Sequence, residues 1–571
     1  MPNQKQSATK ESHFLNDKIR RLPPTPGVYL FKNSKGDILY IGKAAVLADR
    51  VRSYFQKGAD LSPKVLVLVP LIQDLETIVT QSELEALLLE SNLIKRHRPQ
   101  FNVVLRDDKQ YPYLRLPIKD RFPRLSIVRR VKKDKALYFG PYVPTGAMRD
   151  TIKIIRKVFP LATCTIDIDG TADRACLEFE IKRCMAPCTG HQSQEDYHRI
   201  VQHVRMFLEG RDHELVDALR QDMHAAADQE EFEEAARLRD RIINIERTLE
   251  RQRITQIHAI DQDVLGIARS GSSADLQLLF VRGGLLIGRK DFYWNDATDV
   301  SNPELIRSTI EQFYNKDILP PKELLVPSDF PDKDLVKIWL SEKKGETVRI
   351  LAPERGGKYH LLQLAEENAA VALEHHMHRQ DKELEARKEL QHLLHLDRLP
   401  NRIEGFDISN TMGTHSVASM VVWENGSMKK ADYRRFKIKT VEGANDFASM
   451  EEVMTRRYGG TLATDEDKSL PLPEVVLIDG GAGQLGAALT AVKKLAIPSI
   501  SLFGLAKAKG EKEERIFLPG QSAPIVLTPE SPISHLLQTI RDEAHRFAIR
   551  YHRRLRSQSI VPIERQRSRQ F

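Results

Sequence analysis

The chain has 571 residues, 41% of them hydrophobic and 29% charged, and its 87 Lys and Arg against 79 Asp and Glu leave a net charge of +8. That length fits about three to five domains with cores of their own, and the mild positive balance favours a polyanionic partner. The first twenty residues are polar and the longest apolar run, Val65 to Ile72, falls far short of the roughly 18–20 residues a membrane span needs, so neither export nor membrane insertion is expected and a cytoplasmic location is.

After the polar N-terminus, Gly27 to Phe55 reads as two strands joined by the turn Asn33-Ser34-Lys35-Gly36, then a helix beginning after Gly42. Tyr29 and Tyr40 fall on the paired strands. Further on, Leu84, Leu87, Leu88 and Leu89 give a helix its apolar face and leave Glu90 to turn elsewhere. Any one of these tyrosines or charges alone reads as a strand aromatic or a solvated group. Taken together, Gly27-Val28-Tyr29, Tyr40-Ile41-Gly42, Lys43, Arg50, Glu90 and Asn102 match in order and spacing the GIY-YIG nuclease module as it occurs in the UvrC family. The resemblance implies catalytic or binding roles for Tyr29, Tyr40, Lys43, Arg50, Glu90 and Asn102. The chemistry agrees. Phosphodiester hydrolysis needs an activated water, a cation at the scissile phosphate and charge stabilisation of the leaving oxygen. Glu90 suits one divalent ion, Mg²⁺ or Mn²⁺, and Lys43 and Arg50 suit the phosphate. A tyrosine hydroxyl suits proton relay, provided that cations or metal-bound water lower a pKa that is ordinarily near 10.

From Arg106 the text RDDKQYPYLRL, and later RVKKDKALYFGPYVP, interleaves aromatic and basic residues. It reads equally as a nucleic-acid grip or as the edge strands of a small sheet. All four cysteines then fall between Cys164 and Cys188, spaced C-x11-C-x7-C-x3-C. Four thiolates suit zinc or an iron-sulfur cluster, and disulfides are out of keeping with a chain that lacks an export signal. Zinc sites usually pair their cysteines twice at short spacing, and only one such pair exists here, so spacing leaves the metal open. The segment CLEFEIKRCMAPC resembles the UvrC family almost letter for letter. That resemblance implies a 4Fe-4S cluster on Cys164, Cys176, Cys184 and Cys188, with zinc as the alternative.

His213 to Arg251 has no Pro or Gly. Leu215, Leu219 and Met223 mark one stripe, Asp228 to Glu231 a break, and Leu238, Ile242, Ile245 and Leu249 a second stripe, which predicts an antiparallel helix pair. FEEAARLRDRI, starting at Phe232, resembles the UVR motif by which UvrC proteins dock on UvrB, with Phe232 as the apolar anchor; a core aromatic is the plain alternative.

Two later stretches echo each other. Asp263 onward and Arg402 onward both read strand, polar loop, strand, Gly turn, strand; Asn302 to Tyr314 then echoes Asn445 to Tyr458, and PKELLVPS echoes LPEVVLIDG. We expect a repeated α/β unit whose first copy has lost its acids, with Ala268 at the place of Asp407 and Pro327 at that of Asp479. In the second copy Asp407 and Asp479 lie at strand ends, Asp446 precedes a helix, and His545 lies in RDEAHRFAIRYHRR. Convergent carboxylates suit a divalent-metal nuclease. FDIS, LIDGG and RDEAH resemble the UvrC RNase H-like domain, which implies Asp407, Asp479 and His545 as a catalytic set, Asp407 and Asp479 as ligands of Mg²⁺ or Mn²⁺, and Asp446 as a supporting acid. The loop GGAGQLG also fits a dinucleotide pattern, a weak signal that Asp479 explains better as a metal ligand.

The expected fold is therefore multi-domain α/β. It comprises a GIY-YIG nuclease over 1–105, a linker and four-Cys segment over 106–205, a helical hairpin over 206–252, an α/β module over 253–372 that is an inactive RNase H-like copy, and an RNase H-like endonuclease with a basic tail over 373–571. The resemblance implies a nucleotide-excision-repair endonuclease that cuts damaged double-stranded DNA on the 3′ and 5′ sides of a lesion, binds UvrB directly and meets UvrA only indirectly. A non-catalytic scaffold and a partner-independent nuclease are the rivals. UvrC members usually continue into a tandem helix-hairpin-helix domain, for which SQSIVPIERQRSRQF is too short; weaker hold on DNA by the second nuclease is the expectation.

Overall fold

Asn33 shapes the first hairpin: its Oδ1 accepts the N–H groups of Lys35 and Asp37, each at 2.9 Å, and Gly36 takes the positive φ of 85° that closes the turn. The turn joins β1 (Gly27–Lys32) to β2 (Ile38–Ala44), and β3 (Asp74–Val79) completes an antiparallel sheet in the order β2-β1-β3. The strand β2 runs past Gly42 to Ala44, and the helix expected there, Leu47–Ser53, starts later. Helix Glu83–His97 covers the sheet. Ser82 caps it by accepting the Glu85 N–H, while the Glu85 carboxylate accepts the Gln81 N–H. A computed structural model underlies this description. It describes residues 15, 18–56, 63–105, 110–132, 134–143, 145–252, 260–411, 415–441, 445–464, 469–497, 500–507 and 513–559, so Arg565, Arg567 and Arg569 of the basic tail lie outside the described residues. The chain divides into two units, Met1–Glu374 and His375–Phe571.

In the first unit, β4 (Tyr113–Leu116), β5 (Ser126–Val128) and β6 (Leu137–Phe139) form a small sheet in the order β5-β4-β6. Tyr111, Tyr113 and Tyr142 are buried, and the Tyr113 hydroxyl accepts the Leu319 N–H. Of the two readings of the aromatic-basic run, these rings follow the sheet; they are core and do not face a nucleic acid. Helices Asp212–Asp228 and Phe232–Gln252 form the expected hairpin, turning at Glu230 with φ 61°. Leu215, Leu219, Leu238, Ile242 and Ile245 share one core with Cys184 and Tyr197. Phe232 stays 68% exposed, which removes the core-aromatic alternative.

The repeat is visible in topology. In the first unit β7 (Gln262–Ser270), β8 (Ser273–Arg282), β9 (Leu285–Trp294), β10 (Glu323–Leu325) and β11 (Arg349–Leu351) lie in the order β11-β10-β7-β8-β9. In the second unit β12 (Arg402–Thr411), β13 (His415–Glu424), β14 (Ser427–Met428), β15 (Arg434–Lys437), β16 (Val475–Asp479), β17 (Ser501–Lys507), β18 (Glu514–Phe517) and β19 (Ile525–Leu527) lie in the order β14-β13-β12-β16-β17-β18-β19, with β15 on β13. The path β17-β16-β12-β13 repeats β11-β10-β7-β8, with the same parallel and antiparallel senses. Register corrects one residue match. With Gly266 set on Gly405, the pairs Val264–Leu325 and Ile403–Val475 place Leu325 on Val475, so Asp329, and not Pro327, stands where Asp479 stands. In the first copy that acid is spent on an exposed ion pair with Lys333 at 2.6 Å.

Beneath β12 lies a buried charge network. Arg457, fully buried, donates to both oxygens of Glu404 at 3.0 and 2.8 Å, Tyr458 donates to the same carboxylate at 2.9 Å, and Arg402 links Glu404 to Asp432. Deleting one partner strands the others without water. Arg457→Ala is expected to destabilise the second unit by about 3–5 kcal/mol, read from its urea midpoint, whereas an exposed pair such as Lys494–Glu451 should cost about 1 kcal/mol or less.

Candidate active sites and cysteine centre

Gly42 is the hinge of the first site: a Cβ there would overlap the Tyr29 phenol and the Tyr40 ring, so only glycine lets both tyrosines share one patch. Their ring centroids lie 6.2 Å apart. The Tyr29 and Tyr54 hydroxyls share a hydrogen bond at 2.8 Å, and the Arg50 guanidinium lies 5.3 Å from the Tyr54 ring centre. Asn102 accepts the Ile41 N–H and donates to the Ile41 carbonyl, both at 2.8 Å, a two-point clasp on β2. Glu90 turns inward from its helix, 2% exposed, and accepts the Lys43 backbone N–H at 3.2 Å. A cavity of about 260 Å³ joins Tyr40, Arg50, Tyr54, Glu90 and Asn102.

Helix Asn302–Tyr314, from the first α/β copy, forms the opposite wall. Arg307 reaches Glu90 at 3.2 Å, Glu311 at 3.2 Å and Asp332 at 2.9 Å, and the Lys43 ammonium meets Asp332 at 2.9 Å. The groups expected to take a cation and a phosphate therefore already hold opposite charges supplied from within the same unit. Burial raises the pKa of Glu90, with Arg307 and Lys43 pulling against it, and pushes Glu311 up to about 8. Burial also holds Tyr29 and Tyr40 well above the ordinary phenol value, with Tyr40 and Tyr54 adding to it for Tyr29 and with Tyr54 and Glu90 for Tyr40. The protein's own charges thus do not make either tyrosine a base. Glu90 fits a divalent ion, because it already neutralises one buried cation. Sequence reasoning missed Tyr54, Arg307 and Asp332. Tyr54, four residues past Arg50 on the same helical turn, was within reach of a spacing argument; the other two were not.

The second site sits where β12 and β16 run parallel. Phe406 pairs with Ile478, so Asp407 and Asp479, each one residue on, end up side by side. Asp407 is 6% exposed and its Oδ2 lies 3.6 Å from His545 Nδ1, on helix Pro532–Ser559. Burial, then Asp407, push Asp479 up to about 6, while Arg541 and His545 pull it down and Glu514 adds to the rise. Asp446 opens helix Asp446–Gly459 behind the Asn445 cap, where its charge favours the helix N-terminus. Two adjacent acids, one of which keeps its proton up to about pH 6, fit a divalent cation. Because Asp479's pKa is raised, the metal-free unit is most stable with it protonated, and that stability is lost as pH rises from about 4 through about 6. A divalent cation held by both carboxylates would have to displace the same proton. The half-saturating Mg²⁺ of this site is expected to climb as pH falls below about 6 and to level off above about 7, read by metal titration of a nicking assay.

The cysteines are free thiols: Cys184 and Cys188 are buried, Cys164 half-buried and Cys176 exposed. Burial raises the Cys184 thiol and the other three cysteines raise it further, while the Ala186 N–H donates to its sulfur. All four thiols lie in one segment of the first unit, and among the described residues no three of their sulfurs come within 4.8 Å of one another. Lys182 and Ala186, with φ 59° and 48°, turn the chain within that segment.

Two α/β nuclease sites built from buried carboxylates, with a thiol cluster and an exposed helical hairpin between them in sequence, define a dual-site phosphodiester hydrolase. Models of five families match in chain order: a UvrC-like GIY-YIG domain over residues 25–103, the UvrC/Cho excinuclease middle domain over 111–207, the UvrB/uvrC motif over 214–248, the UvrC Ribonuclease H-like domain over 261–376 and the UvrC RNAse H endonuclease domain over 391–549. The UvrABC system protein C of Caldanaerobacter subterraneus subsp. tengcongensis is 42% identical over 558 residues, 95% of this chain and 90% of its own length. That of Alkaliphilus oremlandii is 41% identical over 565 residues, 96% and 90%. The chain belongs to the UvrC family. A solved structure, the magnesium-bound GIY-YIG N-terminal endonuclease domain of UvrC from Thermotoga maritima, is 46% identical and covers 16% of this chain and 97% of its own, with a TM-score of 0.15. No helix among the described residues is long and apolar enough to cross a membrane.

Proposed function

We propose that this protein is the incising subunit of nucleotide excision repair, cutting the damaged strand on both sides of a lesion in double-stranded DNA. The observation that carries the reading is the presence, in one chain of the UvrC family, of two separate inward-facing carboxylate sites, Glu90 in one unit and Asp407 with Asp479 in the other. The GIY-YIG site makes the 3′ cut and the RNase H-like site the 5′ cut. A divalent ion, Mg²⁺ or Mn²⁺, held by Glu90 at the first site and by Asp407 and Asp479 at the second supplies the Lewis acidity for the attacking water and the scissile phosphate. Lys43 and Arg50 bind the phosphate at the first site, Tyr29 or Tyr40 relays the water's proton, and Asn102 keeps the YIG strand in place. At the second, His545 takes a proton beside Asp407.

The four cysteines hold a 4Fe-4S cluster, with zinc as the alternative, in a structural role. Phe232 is the apolar anchor for UvrB: it projects at the tip of the hairpin among Glu230, Glu231, Glu233 and Glu234. UvrA is met only through UvrB, and the work is done in the bacterial cytoplasm. The test is incision of an end-labelled duplex carrying one bulky lesion, with UvrB and Mg²⁺. Two cuts flanking the lesion, both dependent on UvrB, are expected. Cutting that proceeds equally without UvrB favours the partner-independent nuclease, and no cutting by protein with its cysteine centre loaded favours the scaffold.

A further inference from the structure

Arg541 and Glu514 have been given no chemical role at the second site, yet Arg541 lies on His545's helix and Glu514 on β18, two strands from β16. Arg541 lies four residues before His545 on helix Pro532–Ser559, on the same helical face, and its side chain is 16% exposed. It forms an ion pair with Glu514, which opens β18 and is 2% exposed. Beyond that pair neither Glu514 oxygen has a hydrogen-bond partner, so the carboxylate is buried for the sake of one guanidinium. Arg541 also reaches the exposed Asp542 at 3.1 Å, so its two terminal nitrogens are held by Glu514 and Asp542.

A buried ion pair rarely stabilises a fold more than two well-packed apolar residues would. Its placement therefore asks for another reason, and the neighbouring acids supply one. Hydrolysis adds negative charge to the phosphate's non-bridging oxygens as water attacks phosphorus and the bond to the leaving oxygen breaks. A planar guanidinium fixed by Glu514 one helical turn before His545, itself 3.6 Å from Asp407, can meet that charge with its N–H donors.

We propose that Arg541 is a phosphate-contacting catalytic residue of the RNase H-like site, and that Glu514 is the positioning residue that holds it there. The proposal rests on the reading that this site makes one of the two cuts. Arg541 forms no covalent bond; its N–H groups donate to a non-bridging oxygen while the attacking water loses its proton to the site's base.

The experiment uses the full chain with its cysteine centre loaded, UvrB, Mg²⁺ and the doubly end-labelled lesion duplex, so that the cut by the GIY-YIG site serves as an internal control. Arg541→Ala is expected to slow the other cut by about 100-fold and leave the control cut unchanged. Arg541→Lys keeps the charge but not the fork and should slow it by about tenfold. Calorimetric Mn²⁺ binding to the second unit should persist in both variants, because neither removes a carboxylate. The charge-reversed pair Glu514→Arg with Arg541→Glu separates function from architecture. It should recover the melting temperature of the ion pair without recovering the cut. A wild-type rate in Arg541→Lys and Arg541→Ala, or recovery of the cut by the reversed pair, overturns the proposal. Asp479→Ala run alongside keeps the underlying reading separate: if it too leaves both cuts intact, the assignment of the site fails and takes the proposal with it, whereas its loss of one cut beside an unaffected Arg541→Ala refutes the proposal alone.

Discussion

Glu90→Gln is expected to abolish one cut and leave the other, and Asp479→Asn to do the reverse. Each exchange keeps the size and hydrogen-bonding capacity of the side chain and removes the negative charge that fits a divalent ion. Loss of such a ligand should slow its own cut by at least about 1,000-fold, equivalent to about 4 kcal/mol of transition-state stabilisation. The two sites lie in different units of the chain, share no ligand and should fail independently. The measurement is the length distribution of fragments from a duplex labelled at both ends. Loss of both cuts in either variant would mean that one incision licenses the other, and loss of neither would remove both carboxylates from the chemistry. The Gln exchange carries one added sign: Arg307 then faces a neutral partner, so the variant should melt lower than the parent in the absence of metal.

Arg307→Ala moves the same site in the opposite direction. On the proposed reading, in which Glu90 holds the metal ion, Arg307 stands as a competitor at that carboxylate, and it is itself held by Glu311 and Asp332. A Mg²⁺ ion bound at Glu90 would have to displace a guanidinium from a buried carboxylate. Charge-assisted contacts of this kind contribute about 1.5–3 kcal/mol. Their removal should lower the half-saturating Mg²⁺ of the first cut by roughly tenfold or more. Without metal the variant leaves the buried Glu90 without its ion-pair partner, so it should melt lower than the parent and recover on adding Mg²⁺. Asp332→Ala frees Lys43 for phosphate and should strengthen DNA binding with little change in the metal requirement. An unchanged Mg²⁺ titration in Arg307→Ala would show that the guanidinium and the cation do not compete for Glu90.

The parts legible in the sequence were those set by neighbours in the chain. The GIY and YIG strands follow from alternation around an Asn-Gly turn, the hairpin from two stripes of helical spacing, and Asp479 from an apolar strand that stops at glycines. The repeated α/β unit was legible as an order of elements, but its residue match slipped by two, because only strand pairing shows that Asp329 takes the place of Asp479. The tyrosines of the middle segment looked the same in sequence whether they lined a sheet or awaited a nucleic acid, and burial decided it. The tertiary structure alone brought Arg307 to Glu90 across 217 positions, Tyr54 to Tyr29, and Glu514 beneath Arg541. Periodicity records which face of an element is apolar; it carries no record of which distant charge a buried carboxylate will meet, because that pairing is fixed by how whole elements pack.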